Sequence, residues 1–129
     1  MAKFVLDTNC YIAASRTDED AEQLEAFVQE AAPRLYLSAV VAAELRAGAS
    51  GARTQKELED NIFQPYRKRN RVVTPSAASW QVLGRTLAWL AENEGLALRT
   101  TPRSFIFDIL IAHSCREAGA VRGEREPTR

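Results

Sequence analysis

The chain has few soft metal ligands: two cysteines and one histidine among 129 residues. Cys10 and Cys115 stand far apart with no CxxC spacing, and His113 has no second histidine to work with. A zinc site of the usual nitrogen and sulfur type therefore finds no support, and two buried thiols are expected instead. No apolar run approaches the roughly 18 residues that a membrane span needs. The first acid arrives at Asp7, after only Phe4-Val5-Leu6, which leaves no room for the apolar stretch of a secretory signal. A cytoplasmic protein is expected. An excess of charge of either sign is also missing. The 17 basic and 17 acidic residues cancel, so any nucleic-acid binding must use a local patch rather than bulk electrostatics. Repeats, low-complexity tracts and linkers are absent, and the length suits a single core.

What is present is an alternation of short apolar strands with helices. Residues 3–7 read as a buried strand, and Thr8-Asn9 can cap a helix from Cys10 to about Ser15. Asp18-Glu19-Asp20 opens an amphipathic helix that Pro33 stops. Leu35-Tyr36-Leu37 is a second strand, with Ser38 capping an alanine-rich helix that ends near Gly48 or Gly51. Another helix is expected over 54–66, limited by Pro65, then a third strand at Arg71-Val72-Val73-Thr74-Pro75. Ser76 or Ser79 opens a long helix that ends at Gly95. Ser104 is expected to cap a very apolar helix from Phe105 to about Glu117. Ala120-Val121 is a possible fourth strand, so the domain is placed at 1–121 and a polar tail at 122–129. This alternation argues for an α/β fold with a parallel sheet covered on both faces, and ligands in such sheets bind beyond the carboxyl ends of the strands, where Asp7 falls.

Asp7, Glu44 and Asp108 each stand alone in an apolar run. An ionised carboxylate buried without a partner costs several kcal/mol or takes up a proton. Helical acids can be neutralised from three or four residues away, but those positions around Glu44 are Val40, Val41, Ala47 and Gly48, and around Asp108 they are Ser104, Phe105, Ile111 and Ala112. Each acid needs a long-range partner. Separate structural roles would serve: Asp7 as a helix cap, Glu44 reaching solvent, Asp108 paired with a distant arginine. A shared cation pocket would serve all three at once. With oxygen ligands only, such a pocket favours Mg²⁺ or Mn²⁺ and suits phosphodiester hydrolysis.

Phe4-Val5-Leu6-Asp7-Thr8-Asn9, then Leu37-Ser38-Ala39-Val40-Val41-Ala42-Ala43-Glu44-Leu45 with Gly48, then Asp108-Ile109-Leu110-Ile111-Ala112, together resemble the PIN-domain ribonucleases, and among them the VapC toxins of bacterial toxin–antitoxin pairs. The resemblance runs from about residue 3 to 121. It implies a three-layer α/β/α fold with a short central parallel sheet, and a Mg²⁺- or Mn²⁺-dependent endoribonuclease that acts on RNA, is neutralised by a cognate antitoxin and forms a homodimer. By the same resemblance Asp7 and Asp108 would be the main metal ligands, and Glu44 would bind metal directly or through water. Thr8 or Asn9 would orient Asp7, and Ser38 and Arg103 would lie in a supporting shell or touch substrate. After Gly119 the family continues with a strand and a loop carrying a fourth acid. Here Gly119-Ala120-Val121 starts that pattern and Arg122-Gly123-Glu124-Arg125-Glu126-Pro127-Thr128-Arg129 abandons it, with Glu126 at about the right distance to substitute. A catalytically impaired module that still binds antitoxin or RNA is the alternative.

Tyr66-Arg67-Lys68-Arg69-Asn70-Arg71 is the densest basic stretch and offers phosphate contacts with a ring for stacking, or is a solvated loop. His113, five residues from Asp108 and off its helix face, is expected to be an ordinary hydrogen-bonded histidine. Trp80, Leu83, Leu87, Trp89 and Leu90 read as core or dimer contact, and the helices near Phe27 and Phe63 as an apolar groove for an antitoxin segment. A phosphoaspartyl hydrolase of the haloacid dehalogenase type would need a second aspartate where Asn9 stands.

Overall fold

Four strands of two to four residues, all parallel, form the centre of the computed structural model, which describes residues 2–123. β1 (Lys3–Leu6) leads through α1 (Thr8–Ala14) and α2 (Asp18–Ala31) to β2 (Leu35–Ser38). From there α3 (Ala39–Gly48), α4 (Gly51–Leu58), a π-helical turn (Glu59–Phe63) and α5 (Gln64–Lys68) lead to β3 (Val72–Val73). α6 (Ala77–Asn93), a short 3₁₀ turn (Leu98–Thr100) and α7 (Arg103–Ala118) lead to β4 (Ala120–Gly123). Parallel neighbours cannot be joined by hairpins, so helices fill every crossover and flank the sheet in the three-layer α/β/α arrangement.

The spatial order is β3-β2-β1-β4. β1 pairs with β2 through Phe4 opposite Leu35 and Val5 opposite Tyr36, and with β4 from Lys3 opposite Ala120 to Leu6 opposite Gly123. The chain thus winds one way from β1 to β3 and returns to the other side of β1 for β4. That reversal opens a crevice beyond the carboxyl ends of β1 and β4, the place where open α/β sheets bind ligands. The last strand runs two residues further than Ala120-Val121, so Arg122 and Gly123 belong to the sheet rather than to a tail. Glu126 lies outside the described residues.

Most helix ends follow local chemistry. Thr17 and Ser76 accept backbone N–H groups at the starts of α2 and α6, and Gly119 ends α7 in the left-handed conformation. Ser104 is not the cap expected of it: α7 begins two residues earlier than expected, at Arg103, with Pro102 in the cap position and no side chain closing the turn. The helix expected over 54–66 also extends at both ends. It starts at Gly51 and passes Pro65 because the π turn shifts the hydrogen-bonding register, placing Pro65 in the first turn of α5, where its missing N–H costs little.

Val5, Leu35, Val41, Phe63, Leu110 and Ile111 are fully enclosed at the centre of the core. Phe63 is therefore not part of a surface groove, as its helix pattern suggested; Arg46 lies 4.3 Å over its ring and completes its burial. Phe27 remains exposed, in edge contact with Phe4. On α6, Leu83 is buried, whereas Trp80 and Trp89 are largely exposed and do not belong to the core. Cys10 and Cys115 are buried thiols and form no disulfide.

Candidate carboxylate site

Asp7 follows directly on β1 and caps α1. Its Oδ1 accepts the backbone N–H of Asn9 at 2.9 Å and of Cys10 at 3.3 Å, and its own N–H donates to the Gly123 carbonyl at 3.2 Å. At 6% exposure this carboxylate is almost wholly out of water. Two amide donors at a helix start stabilise its charge. Oδ2 faces a cation as well: Arg122 Nη2 lies 3.6 Å away.

The same Arg122 nitrogen donates to Asp108 Oδ1 at 2.9 Å. One guanidinium at the end of β4 therefore joins an acid at the end of β1 to an acid near the start of α7, across the β1/β4 crevice. Asp108 differs from expectation in its setting. Its side chain is 59% exposed, because α7 turns Leu110, Ile111, Ser114 and Cys115 into the core and leaves Asp108 on the crevice rim. Glu44 is half-buried on α3, and its Oε1 accepts the Thr8 hydroxyl at 2.7 Å. Thr8 thus holds Glu44 rather than Asp7, and Asn9 holds Asp7 through its backbone, with its side chain exposed. Ser38 is fully buried at the end of β2, where its Oγ accepts the N–H groups of Val40 and Val41 and starts α3. Arg103 is exposed in the first turn of α7.

A family model for the PIN domain matches residues 4–122, a span that contains Asp7, Glu44, Asp108 and Arg122. The chain belongs to the PIN domain family. Its fold is similar to that of DNA-bound VapBC from Salmonella typhimurium, with a TM-score of 0.62 and 22% identity over 96% of this chain and 86% of that one. It is also similar to VapBC2 from Rickettsia felis bound to a promoter fragment, at 0.57 and 20% over 95% and 98%. FitAcB from Neisseria gonorrhoeae gives 0.59 and 20% over 95% and 87%. No curated protein matches the chain.

PIN domains generally act as nucleases and use divalent ions, so the acids can be tested against such an ion. Their donor chemistry suits it: oxygen ligands only, two carboxylates converging on one cationic group. Their arrangement does not. Among the described residues no group of three or more acids, histidines or cysteines is placed to hold a metal ion, and the position between Asp7 and Asp108 is held by Arg122. A guanidinium keeps its charge at any pH a protein survives, so it cannot make way by losing a proton. With Arg122 in this position the described acids hold no divalent ion between them, and an ion could take its place there only if the guanidinium moved away.

Arg122 is the site residue that sequence reasoning missed. The usable signal was its position as the first cation after the apolar pair Ala120-Val121, at the strand end that parallel pairing brings beside Asp7. A second polar group also went unread. Ser79, fully buried near the start of α6, shares its hydroxyl with His113 Nδ1 at 3.0 Å and with Glu117 in a short hydrogen bond, and Ser76 donates to the same carboxylate at 2.7 Å. Ser79 and Glu117 both lie on the Nδ1 side of His113, so no proton relay through the ring is built, and Ser79 is closed to any substrate. The group clasps α6 to α7. The basic stretch is engaged within the fold in part: Tyr66 meets the Tyr11 hydroxyl at 3.0 Å, Arg67 pairs with Glu59, and Arg71 donates to the Ala32 carbonyl, while Lys68 and Arg69 are exposed. Burial pushes the Tyr11 hydroxyl far above its ordinary range, so that pair stays neutral.

Proposed function

We propose that this PIN domain is an endoribonuclease toxin that cuts RNA phosphodiester bonds with Mg²⁺ or Mn²⁺, works in the cytoplasm and is neutralised by a cognate antitoxin. One observation carries the reading. Asp7 and Asp108, from two distant parts of the chain, converge on a single cationic group in the crevice where an open parallel sheet binds ligands. Glu44, tethered to Thr8 immediately after Asp7, is the third acid of the proposed metal site and a candidate for positioning water. The similarity to VapBC and FitAcB supports the toxin assignment and the antitoxin partner, and a homodimer is the proposed assembly.

Incubation of purified protein with structured RNA and Mg²⁺ or Mn²⁺ tests the proposal. Cleavage is expected, and Asp108→Asn is expected to reduce it by about a hundredfold or more, as loss of a ligand to the ion that would stabilise transition-state charge does. Cleavage that survives in Asp108→Asn removes the proposed site. A second reading is favoured by the Arg122 contacts: a module whose acids are held by its own arginine and which binds antitoxin or RNA without cutting. Antitoxin binding with no cleavage under any divalent ion would select it.

A further inference from the structure

We propose that Arg122 is a resident cation of the Asp7–Asp108 site, and that Arg122 and a divalent ion exclude one another there. The inference rests on reading these acids as cation ligands and is independent of RNA being the substrate. Two observations carry it. Nη2 of Arg122 contacts Asp108 at 2.9 Å and faces Asp7 at 3.6 Å, so one positive nitrogen answers both charges. The side chain is only 23% exposed, and it rises from a strand paired residue by residue with β1, which fixes its base beside the acids.

A divalent ion binds carboxylate oxygens at about 2.1 Å, which would set it against the guanidinium across a gap of a few ångströms on the crevice rim. Like charges at that range repel strongly, so one cation must leave when the other enters. Arg122 can leave only by swinging its side chain outward, giving up its hydrogen bond to Asp108. The ion therefore has to displace a charge-assisted bond before it gains its own ligands, and its apparent affinity falls accordingly.

The test is Mn²⁺ binding followed by calorimetry and by the loss of the free-ion electron paramagnetic resonance signal, in wild type, Arg122→Gln, Arg122→Lys and Arg122→Gln/Asp7→Asn. Arg122→Gln is expected to bind Mn²⁺ at least about tenfold more tightly than wild type, the worth of one charged hydrogen bond. Arg122→Lys should stay near wild type, and the double variant should lose the gain. Equal affinity in wild type and Arg122→Gln overturns the proposal, and so does a gain that survives removal of the Asp7 charge. A measurement on the unaltered chain guards against misfolded variants: the Arg122 side-chain NMR signals should shift as Mg²⁺ saturates the protein, and signals that stay fixed at saturation refute exclusion. RNA left uncut in every variant while Arg122→Gln gains Mn²⁺ would refute the nuclease reading and leave this one standing.

Discussion

Asp7 combines two roles with different chemical demands. As a cap it needs an oxygen that accepts amide protons, and as the partner of Arg122 it needs a charge. Asp7→Asn keeps the first and removes the second, whereas Asp7→Ala removes both. The alanine variant is expected to be less stable than the asparagine variant by about 1 kcal/mol, the usual worth of a cap, as read from urea unfolding. Equal stabilities would show that the cap contributes nothing. Thr8→Val should cost about 1–2 kcal/mol by leaving Glu44 without its hydroxyl donor, and Thr8→Ser should restore most of the loss. The acids were legible in the sequence because they interrupt apolar runs, a contrast visible without a fold. Arg122 was not, since an arginine in a polar terminal segment is unremarkable until strand pairing carries it beside Asp7.

Among the secondary-structure elements, α6 and α7 are joined by a clasp that responds to pH. Hydrogen bonds from Ser79 first, then Ser76, with the nearby His113 adding to them, hold the Glu117 carboxyl below its ordinary 4.5. A carboxylate whose folded value is depressed stabilises the fold above its unfolded value, and that contribution fades as pH falls through the lower, folded one. Thermal stability should therefore drop on acidification below 4.5, and Glu117→Gln should flatten that part of the profile. An unchanged acid slope in the glutamine variant would exclude the clasp as its source. Hydrophobic spacing and turn residues made most helices and strands readable, because their signals are local. The missed boundaries have two causes: β4 gained Arg122 and Gly123 by long-range pairing with β1, and the helix through Pro65 survived because a π turn, which hydrophobic spacing does not announce, adjusted its register.

For the molecule as a whole, Phe63 ties the long excursion between β2 and β3 to the core. It is fully enclosed and capped by Arg46, which pairs in turn with Glu59 at 2.9 Å. Phe63→Ala should cost about 3–5 kcal/mol, much of the total stability expected of a domain this size, and the denaturant midpoint would report it. A loss below about 1 kcal/mol would mean that the segment folds back on itself without the core. The architecture was legible from the order of its parts, since strands separated by helices leave little choice but a parallel sheet. The side of β1 that β4 would join could not be read, because both edges of a short apolar strand look alike in sequence.

Pairing the first strand with the last also sets when the crevice comes into being. The contact from Cys10 to the Gly123 carbonyl bridges 113 positions, so Asp7 and Glu44 leave the ribosome long before the strand that carries Arg122. During translation Asp7 and Glu44 exist without the guanidinium that later faces Asp7, and the crevice closes only when synthesis has reached β4. The charge balance of the site is thus set only once β4 has been made.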